Sequence, residues 1–208
     1  AHNLGSVPKW YIVKNRSDGN NWAVYHHKSN ANPEQYVLYL DGTYAATDDS
    51  GLTNDTAPTS TVFSLTNGNY GNQNGYNYIG YFFSEVKGYS KFGSLVSNNS
   101  DNGTFAYTGF SPAWVMLKGN VTDTWSDWYI FDNKRKTFNL NDVYLQANDS
   151  AAETGAGANY AQIDMLSNGF KIRRDANWGY GGSGTTLFYM AFAESPFVNS
   201  NGVPTNAR

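Results

Sequence analysis

Apolar and polar positions trade places over short distances along this chain. In Trp10-Tyr11-Ile12-Val13-Lys14, an extended backbone puts Trp10, Ile12 and Lys14 on one face and Tyr11 and Val13 on the other. In Phe188-Tyr189-Met190-Ala191-Phe192-Ala193 both faces are apolar or small, the pattern of a strand covered on both sides. Similar runs, rich in aromatic and β-branched residues, predict strands near 9–14, 21–26, 36–40, 61–65, 76–84, 104–108, 113–118, 127–132, 142–146, 161–166, 169–174 and 186–193. Between them lie clusters of Gly, Asn, Asp and Ser. Ser17-Asp18-Gly19-Asn20 reads as a hairpin loop, and Asp41-Gly42 and Asn168-Gly169 supply residues that tolerate positive φ. The polar, Gly-rich stretches 66–77 and 147–160 and the loop Gly179–Gly184 are the expected functional or mobile connections. No segment carries a helical period; Ser150–Glu153 and Ala45–Asp48 are at most turns.

The pattern also repeats. Gly5-Ser6-Val7-Pro8-Lys9-Trp10 returns as Gly109-Phe110-Ser111-Pro112-Ala113-Trp114. Asn21-Trp22-Ala23-Val24-Tyr25 returns as Asp127-Trp128-Tyr129-Ile130-Phe131. Leu65-Thr66-Asn67-Gly68 returns as Leu166-Ser167-Asn168-Gly169, and Phe83-Ser84-Glu85 as Phe192-Ala193-Glu194. The matching positions are mostly apolar and turn residues, so the repeat speaks for shared architecture before shared chemistry. The expected fold is all-β: one antiparallel β-sandwich over residues 1–208, of jelly-roll or concanavalin-like lectin type, built from two sequence-related halves at about 4–97 and 105–198. The alternative is two small β-domains split near 97–104, since 86–104 is the one candidate boundary.

Composition narrows the function. Charged residues make up 15% of the chain, against about 25% in an average protein, while Asn, Gly and Tyr are abundant. The net charge of -3 and 14 Lys plus Arg argue against a nucleic-acid binder. No apolar run approaches the ~20 residues of a membrane-spanning helix. With no cysteine, disulfides and thiolate metal sites are excluded. The start, Ala1–Gly5, has neither a basic region nor an apolar core, so it does not read as a signal peptide; a processed chain or a piece of something longer is expected. Asn-x-Ser/Thr sequons begin at Asn15, Asn54, Asn98, Asn102, Asn120 and Asn148, and matter only in a secretory eukaryotic setting.

Catalytic constellations are thin. There is no Gly-x-Ser-x-Gly elbow and no Cys nucleophile. The adjacent His26-His27 pair points to opposite faces of a strand, which suits an ordinary surface or edge role. Gly181-Gly182-Ser183-Gly184 precedes a strand and no Lys follows, so it is no phosphate loop. Glu85 and Glu194 are the candidate pair for glycoside hydrolysis, but they occupy repeat-matched strand ends, whereas a catalytic pair is usually built from unlike environments. No cofactor is expected; structural Ca²⁺ would draw on Asp48, Asp49 and Asp55 or on Asn139, Asn141 and Asp142.

The tryptophans separate into two groups. Trp10, Trp22, Trp114 and Trp128 are repeat-matched and read as core. Trp125 and Trp178 have no counterpart and sit in polar loops beside Asp123, Asn177 and Tyr180. An aromatic ring among amides and carboxylates is what a sugar site uses, stacking on the pyranose while polar groups take the hydroxyls. Trp125, Trp178, Tyr180, Asn177 and Asp123 are therefore the candidate ligand-binding residues. Tyr70, Tyr76 and Tyr78 offer a weaker set.

Three segments carry a resemblance to a known family. They are Gly5-x-x-Pro8-x-Trp10-x-Ile12-x-Lys14-Asn15-Arg16, the Phe105-x-Tyr107-Thr108-Gly109-Phe110-x-Pro112-Ala113-Trp114-Val115 segment, and Met190-Ala191-Phe192-Ala193-Glu194-x-Pro196-Phe197. They resemble an uncharacterised duplicated domain found towards the C-terminus of tail-fibre-like and other large virion proteins of tailed phages, marine phages and cyanophages among them. The ending 197–208 is similar to the C-termini of such proteins. The resemblance implies a jelly-roll or lectin-like sandwich, a place on the extracellular virion after assembly in the host cytoplasm, and no catalytic residues. The resulting expectation is a non-enzymatic virion domain on a tail fibre or capsid surface, binding a host-surface glycan or a neighbouring virion subunit, with homo-oligomers as its setting. A purely structural assembly, decoration or filament subunit is the first alternative. A polysaccharide-cleaving enzyme using Glu85 or Glu194 is the second.

Overall fold

A computed structural model describes residues 1–68, 70–124, 126–153, 161–174, 180 and 182–195 of the 208-residue chain. Among these residues the protein is almost entirely antiparallel β, with one short 3₁₀ turn at Pro33–Gln35 and no α-helix. The strands are β1 (Trp10–Asn15), β2 (Ala23–His26), β3 (Tyr36–Tyr39), β4 (Thr47–Asp48), β5 (Tyr78–Phe83), β6 (Ser90–Val96), β7 (Phe105–Tyr107), β8 (Pro112–Gly119), β9 (Trp128–Asp132), β10 (Leu145–Gln146), β11 (Gln162–Leu166), β12 (Gly169–Arg174) and β13 (Thr186–Ala193).

They form three sheets. The first runs β4-β3-β2-β1-β5, the second β10-β9-β8-β13-β6, and a three-stranded third runs β11-β12-β7. The period-2 alternation of each strand decides how these layers stack. From the first sheet, Trp10, Val24 and Leu38 meet Phe92, Met116, Trp128, Phe188 and Met190 of the second. The opposite face of the second sheet, with Val115, Leu117, Phe131, Leu187, Tyr189 and Ala191, meets Ala106, Ile163, Phe170 and Ile172 of the third. The second sheet is thus the middle layer. Its strand β13, paired on both sides, has residues 187 to 191 all buried, the environment that its continuous apolar run demands. The outer face of the first sheet carries Tyr11, Val13, Ala23, Tyr25, Val37 and Phe82, roofed by Leu52 with Leu65 and Tyr70.

Four expectations need correction. Residues 61–65 form no strand; they lie as irregular chain over the first sheet, with Leu65 packed into its outer core. The 86–104 segment, where no strand was expected, contains β6, which pairs with β13 over seven residues. The two-residue strand β4 stands where Ala45–Asp48 suggested a turn, and Ser150–Glu153 forms no turn either. His26 is not at a surface. It is fully buried between the first two sheets, edge-on to Trp10 at 5.1 Å and 5.2 Å from Phe188. Its strand partner in sequence, His27, is half-buried and reaches the Phe92 carbonyl at 3.1 Å.

One glycine shows why β6 escapes a reading based on apolar content. Gly93 lies opposite Tyr189, and a Cβ there would sit 2.5 Å from the Tyr189 hydroxyl. The ring of Tyr189 occupies the space above that glycine and meets Phe170 of the third sheet edge-on at 5.2 Å. The absence of a side chain at Gly93 is therefore what lets the aromatic bridge two layers.

Candidate functional site

At the end of the middle sheet where β8 finishes and β9 begins, loops from the first and second sheets meet. Sequence accounts for the loops: Asp41-Gly42 terminates β3, and Asn120–Thr124 is a polar run between two apolar strands. The contact is made by side chains acting on backbone. Asn120 Oδ1 accepts the Ala46 N–H at 2.8 Å, and Thr122 Oγ1 accepts the Ala45 N–H at 3.0 Å. Beneath them Lys118 is fully buried, its ammonium donating to the Gly119 carbonyl (2.6 Å), to Ser126 Oγ (2.6 Å) and, more weakly, to the Thr43 carbonyl (3.4 Å). Ser126 passes its own proton to Gly119 O at 2.9 Å.

Beside this cation the buried Asp127 accepts hydrogen bonds from Asn148 Nδ2 (2.7 Å), the Tyr129 hydroxyl (3.3 Å) and Gln146 Nε2. Burial pulls the Lys118 ammonium down to about 7, with the Asp127 carboxylate pulling in the opposite direction. The nitrogen resonance of a Lys118-labelled sample should therefore titrate near pH 7, more than three units below an exposed lysine; titration in the ordinary lysine range would mean that the network is open to water.

Above this polar floor an open recess of about 560 Å³ is lined by Thr43, Thr122, Asp123 and Thr124. Three hydroxyls and one exposed carboxylate can trade hydrogen bonds with a hydroxyl-rich ligand. Of the predicted site residues, Asp123 is at this recess and exposed. Tyr180 is corrected: it is fully buried, 5.6 Å from Tyr129 edge-on in the core between the second and third sheets, so its ring offers no stacking surface. Trp125, Asn177 and Trp178 lie outside the described residues. Thr43, Thr122 and Thr124 were missed because a lone threonine in a polar loop carries no signal until the fold brings two loops together. Lys118 had one: a lysine inside the apolar run Trp114-Val115-Met116-Leu117 must be buried or break the strand's pattern.

The other candidates are dispersed. Glu85 pairs with Lys91 at 3.0 Å and accepts the Phe92 N–H at 3.3 Å, while the exposed Glu194 lines a different recess. Among the described residues no three His, Cys, Asp or Glu side chains come together as a metal site. Asp49 is occupied by the Gly51 N–H (2.7 Å) and the Tyr39 hydroxyl (3.1 Å), and Asp142 faces Lys136 at 3.1 Å. No described helix is long and apolar enough to cross a membrane.

A family model, Domain of unknown function (DUF7483), matches residues 1–196. The chain belongs to this family. The comparisons with curated proteins and with solved structures returned no match. The DUF7483 match spans all three sheets.

Proposed function

We propose that this DUF7483 chain is a non-enzymatic binding domain of a tailed-phage virion, displayed on a tail fibre or capsid surface, and that it recognises a host-surface glycan through the loop end described above. The observation that carries the reading is the recess around Asp123. Loops from two sheets are locked to each other there by Asn120, Thr122 and Lys118, so Thr43, Thr122, Asp123 and Thr124 are held on a fixed scaffold. Sites of this kind need preorganised polar groups on rigid elements. The family resemblance supplies the virion setting. The separate surroundings of Glu85 and Glu194 favour binding over glycoside cleavage.

Two finer features of the fold belong to the same reading. The sheet orders β3-β2-β1-β5 and β10-β9-β8-β13 place sequence-matched strands at matching positions, which supports two halves related by duplication. The core shared by the first two sheets supports one lectin-type sandwich made jointly by both halves. A glycan array probed with the parent chain should give at least one hit that disappears, together with host adsorption, in Thr122→Ala/Asp123→Ala and in Trp125→Ala/Trp178→Ala. An unchanged adsorption rate in both double variants sinks the receptor reading.

A second reading, a structural subunit contact, is favoured by a different observation. The edge strands β5, β6 and β7 expose Ile79, Tyr81, Val96, Phe105 and Tyr107, and strand edges with apolar side chains are surfaces that other chains cover. Light scattering separates the two: a defined oligomer that dissociates in Tyr81→Lys/Tyr107→Lys supports the contact, and a concentration-independent monomer removes it.

A further inference from the structure

We propose that the opposite end of the sandwich holds a second binding site, independent of the Asp123 recess, for a neutral, hydroxyl-rich sugar ring. Where β8 begins and β9 finishes, a groove of about 420 Å³ opens between Ser111-Pro112, the arm of residues 133–141 that follows β9, the end of β11 and Glu194. Three features make it a site.

The first is unmet hydrogen bonding. Asn141 is 1% exposed, and its amide is oriented by a bond from Nδ2 to the Asp132 carbonyl at 3.0 Å. Its backbone exchanges two bonds with Ile163, at 2.8 and 2.9 Å. Its Oδ1 nonetheless has no partner among the described residues, and neither does the buried Oδ1 of Asn133; both residues line the groove. A buried acceptor left unpaired keeps its desolvation cost uncompensated, and two of them in one groove suit donors from outside the protein.

The second is an exposed ring. Phe138 lines the same groove with 79% of its surface in water, the highest exposure of any large apolar side chain described. A lone exposed phenyl is unremarkable by itself. Beside two orphan acceptors it supplies the flat apolar face on which the C–H side of a sugar ring stacks, while the sugar's hydroxyls donate to the amide oxygens.

The third is rigidity. Asp132 Oδ1 accepts the N–H groups of Lys134 (2.9 Å) and Arg135 (2.8 Å), and Arg135 pairs with Asp132 at 2.7 Å and Glu153 at 2.6 Å. The Asn139 side chain exchanges two 2.9 Å bonds with the Met165 backbone, tying the arm to β11. The groups that would meet the ligand are therefore fixed before it arrives.

Charge selects the class of sugar. Lys136 is already committed to Asp142 at 3.1 Å. That leaves Lys134 and Glu194, opposite in sign and neither ion-paired among the described residues, at the groove. One ammonium and one carboxylate cancel, and both serve hydroxyls as well as they serve charges. The two amide oxygens and Glu194 take donors, so a neutral ring of hydroxyls fits where the anionic group of a uronate or sulfated sugar would meet Glu194.

The test is an array of neutral, amino and acidic oligosaccharides, followed by calorimetric titration of the strongest neutral hit. The expected result is saturable binding that Phe138→Ala weakens about three- to tenfold and Asn133→Ala by a similar factor, with thermal unfolding of the Phe138 variant unchanged. Val62→Ala, at an exposed position that lines neither groove, should leave that affinity alone. Three results overturn the proposal: no saturable sugar binding up to millimolar concentration, a hit confined to acidic sugars, or a neutral hit lost in Thr122→Ala/Asp123→Ala and retained in Phe138→Ala. The last of these would leave the function proposed above standing while removing this site, and the converse pattern would do the reverse.

Discussion

Replacing Trp128 by alanine should destabilise the protein by about 3–5 kcal/mol, seen as a fall of roughly 1–2 M in the urea midpoint. Trp128 is fully buried between the first and second sheets. Its ring meets Trp10 edge-on at 5.5 Å, and its Nε1 donates to the Tyr39 carbonyl at 2.8 Å. One side chain thus supplies apolar area, an aromatic contact and a direct hydrogen bond between sheets. Truncation leaves a cavity and a carbonyl at the end of β3 without its donor. Trp128→Phe separates these effects, keeping most of the contact and losing the bond at about 1–2 kcal/mol. Trp114→Ala, at a half-buried position on the rim of the same core, should cost clearly less. A Trp128→Ala midpoint equal to the parent's would mean that the two sheets do not share a core.

That prediction also shows what the repeat conveyed. In sequence Trp10 corresponds to Trp114 and Trp22 to Trp128. The pair that meets in space is Trp10 with Trp128, one from each correspondence, while Trp22 and Trp114 are only partly buried. Matching positions in the sequence do not say which residues meet, because two sheets packed face to face need not bury the residues at matching positions equally. Strand periodicity was legible wherever both faces are apolar, as in β8 and β13. It failed at β6, where Ser90-Lys91-Phe92-Gly93-Ser94 reads as polar loop and the small residues make room for Tyr189. It failed in the other direction at 61–65, whose β-branched and aromatic residues cover a sheet face without joining a ladder.

The candidate site was legible in outline only. A polar loop flanking β9 pointed to Asp123, which does line the recess, but the same reasoning promoted Tyr180, whose Gly-rich neighbourhood looks exposed and whose ring is core. Aromatic residues in loops are ambiguous because a loop crossing a sheet end sends some side chains inward. Of Phe138, Asn133 and Asn141 in the groove, only Asn141 stands out in the sequence, beside Asn139 and Asp142 as an oxygen ligand suited to Ca²⁺. The groove's meaning depends on which amide oxygens lack partners, a property of three-dimensional pairing that spacing does not carry.

Stability should fall as the pH drops below 6.5, with His26 the main cause and the half-buried His27, also lowered by burial, adding to it. Burial lowers His26 from 6.5 to about 3, helped by His27 and Lys28, while its bond to the Tyr189 carbonyl acts in the opposite direction. The neutral ring has a consistent tautomer. Nδ1 accepts the Lys28 N–H at 3.0 Å, so the proton sits on Nε2, which faces Tyr189 O at 3.4 Å. Between pH 6.5 and 3 the unfolded chain therefore binds a proton that the folded one refuses, and stability declines with falling pH across that window. The full displacement corresponds to about 5 kcal/mol, of which roughly 2–3 kcal/mol is lost by about pH 4.5, where carboxylates of ordinary value are still mostly ionised. Urea titrations at several pH values should show this slope in the parent. His26→Phe places a ring of similar shape against Trp10 and Phe188 and should flatten the slope between pH 6.5 and 4.5, whatever it does to stability at neutral pH. A parent stability that is level over that interval, or a slope undiminished in His26→Phe, would show that the His26 imidazole is reached by water and that the first two sheets part more readily than their packing implies; a smaller remaining slope belongs to His27.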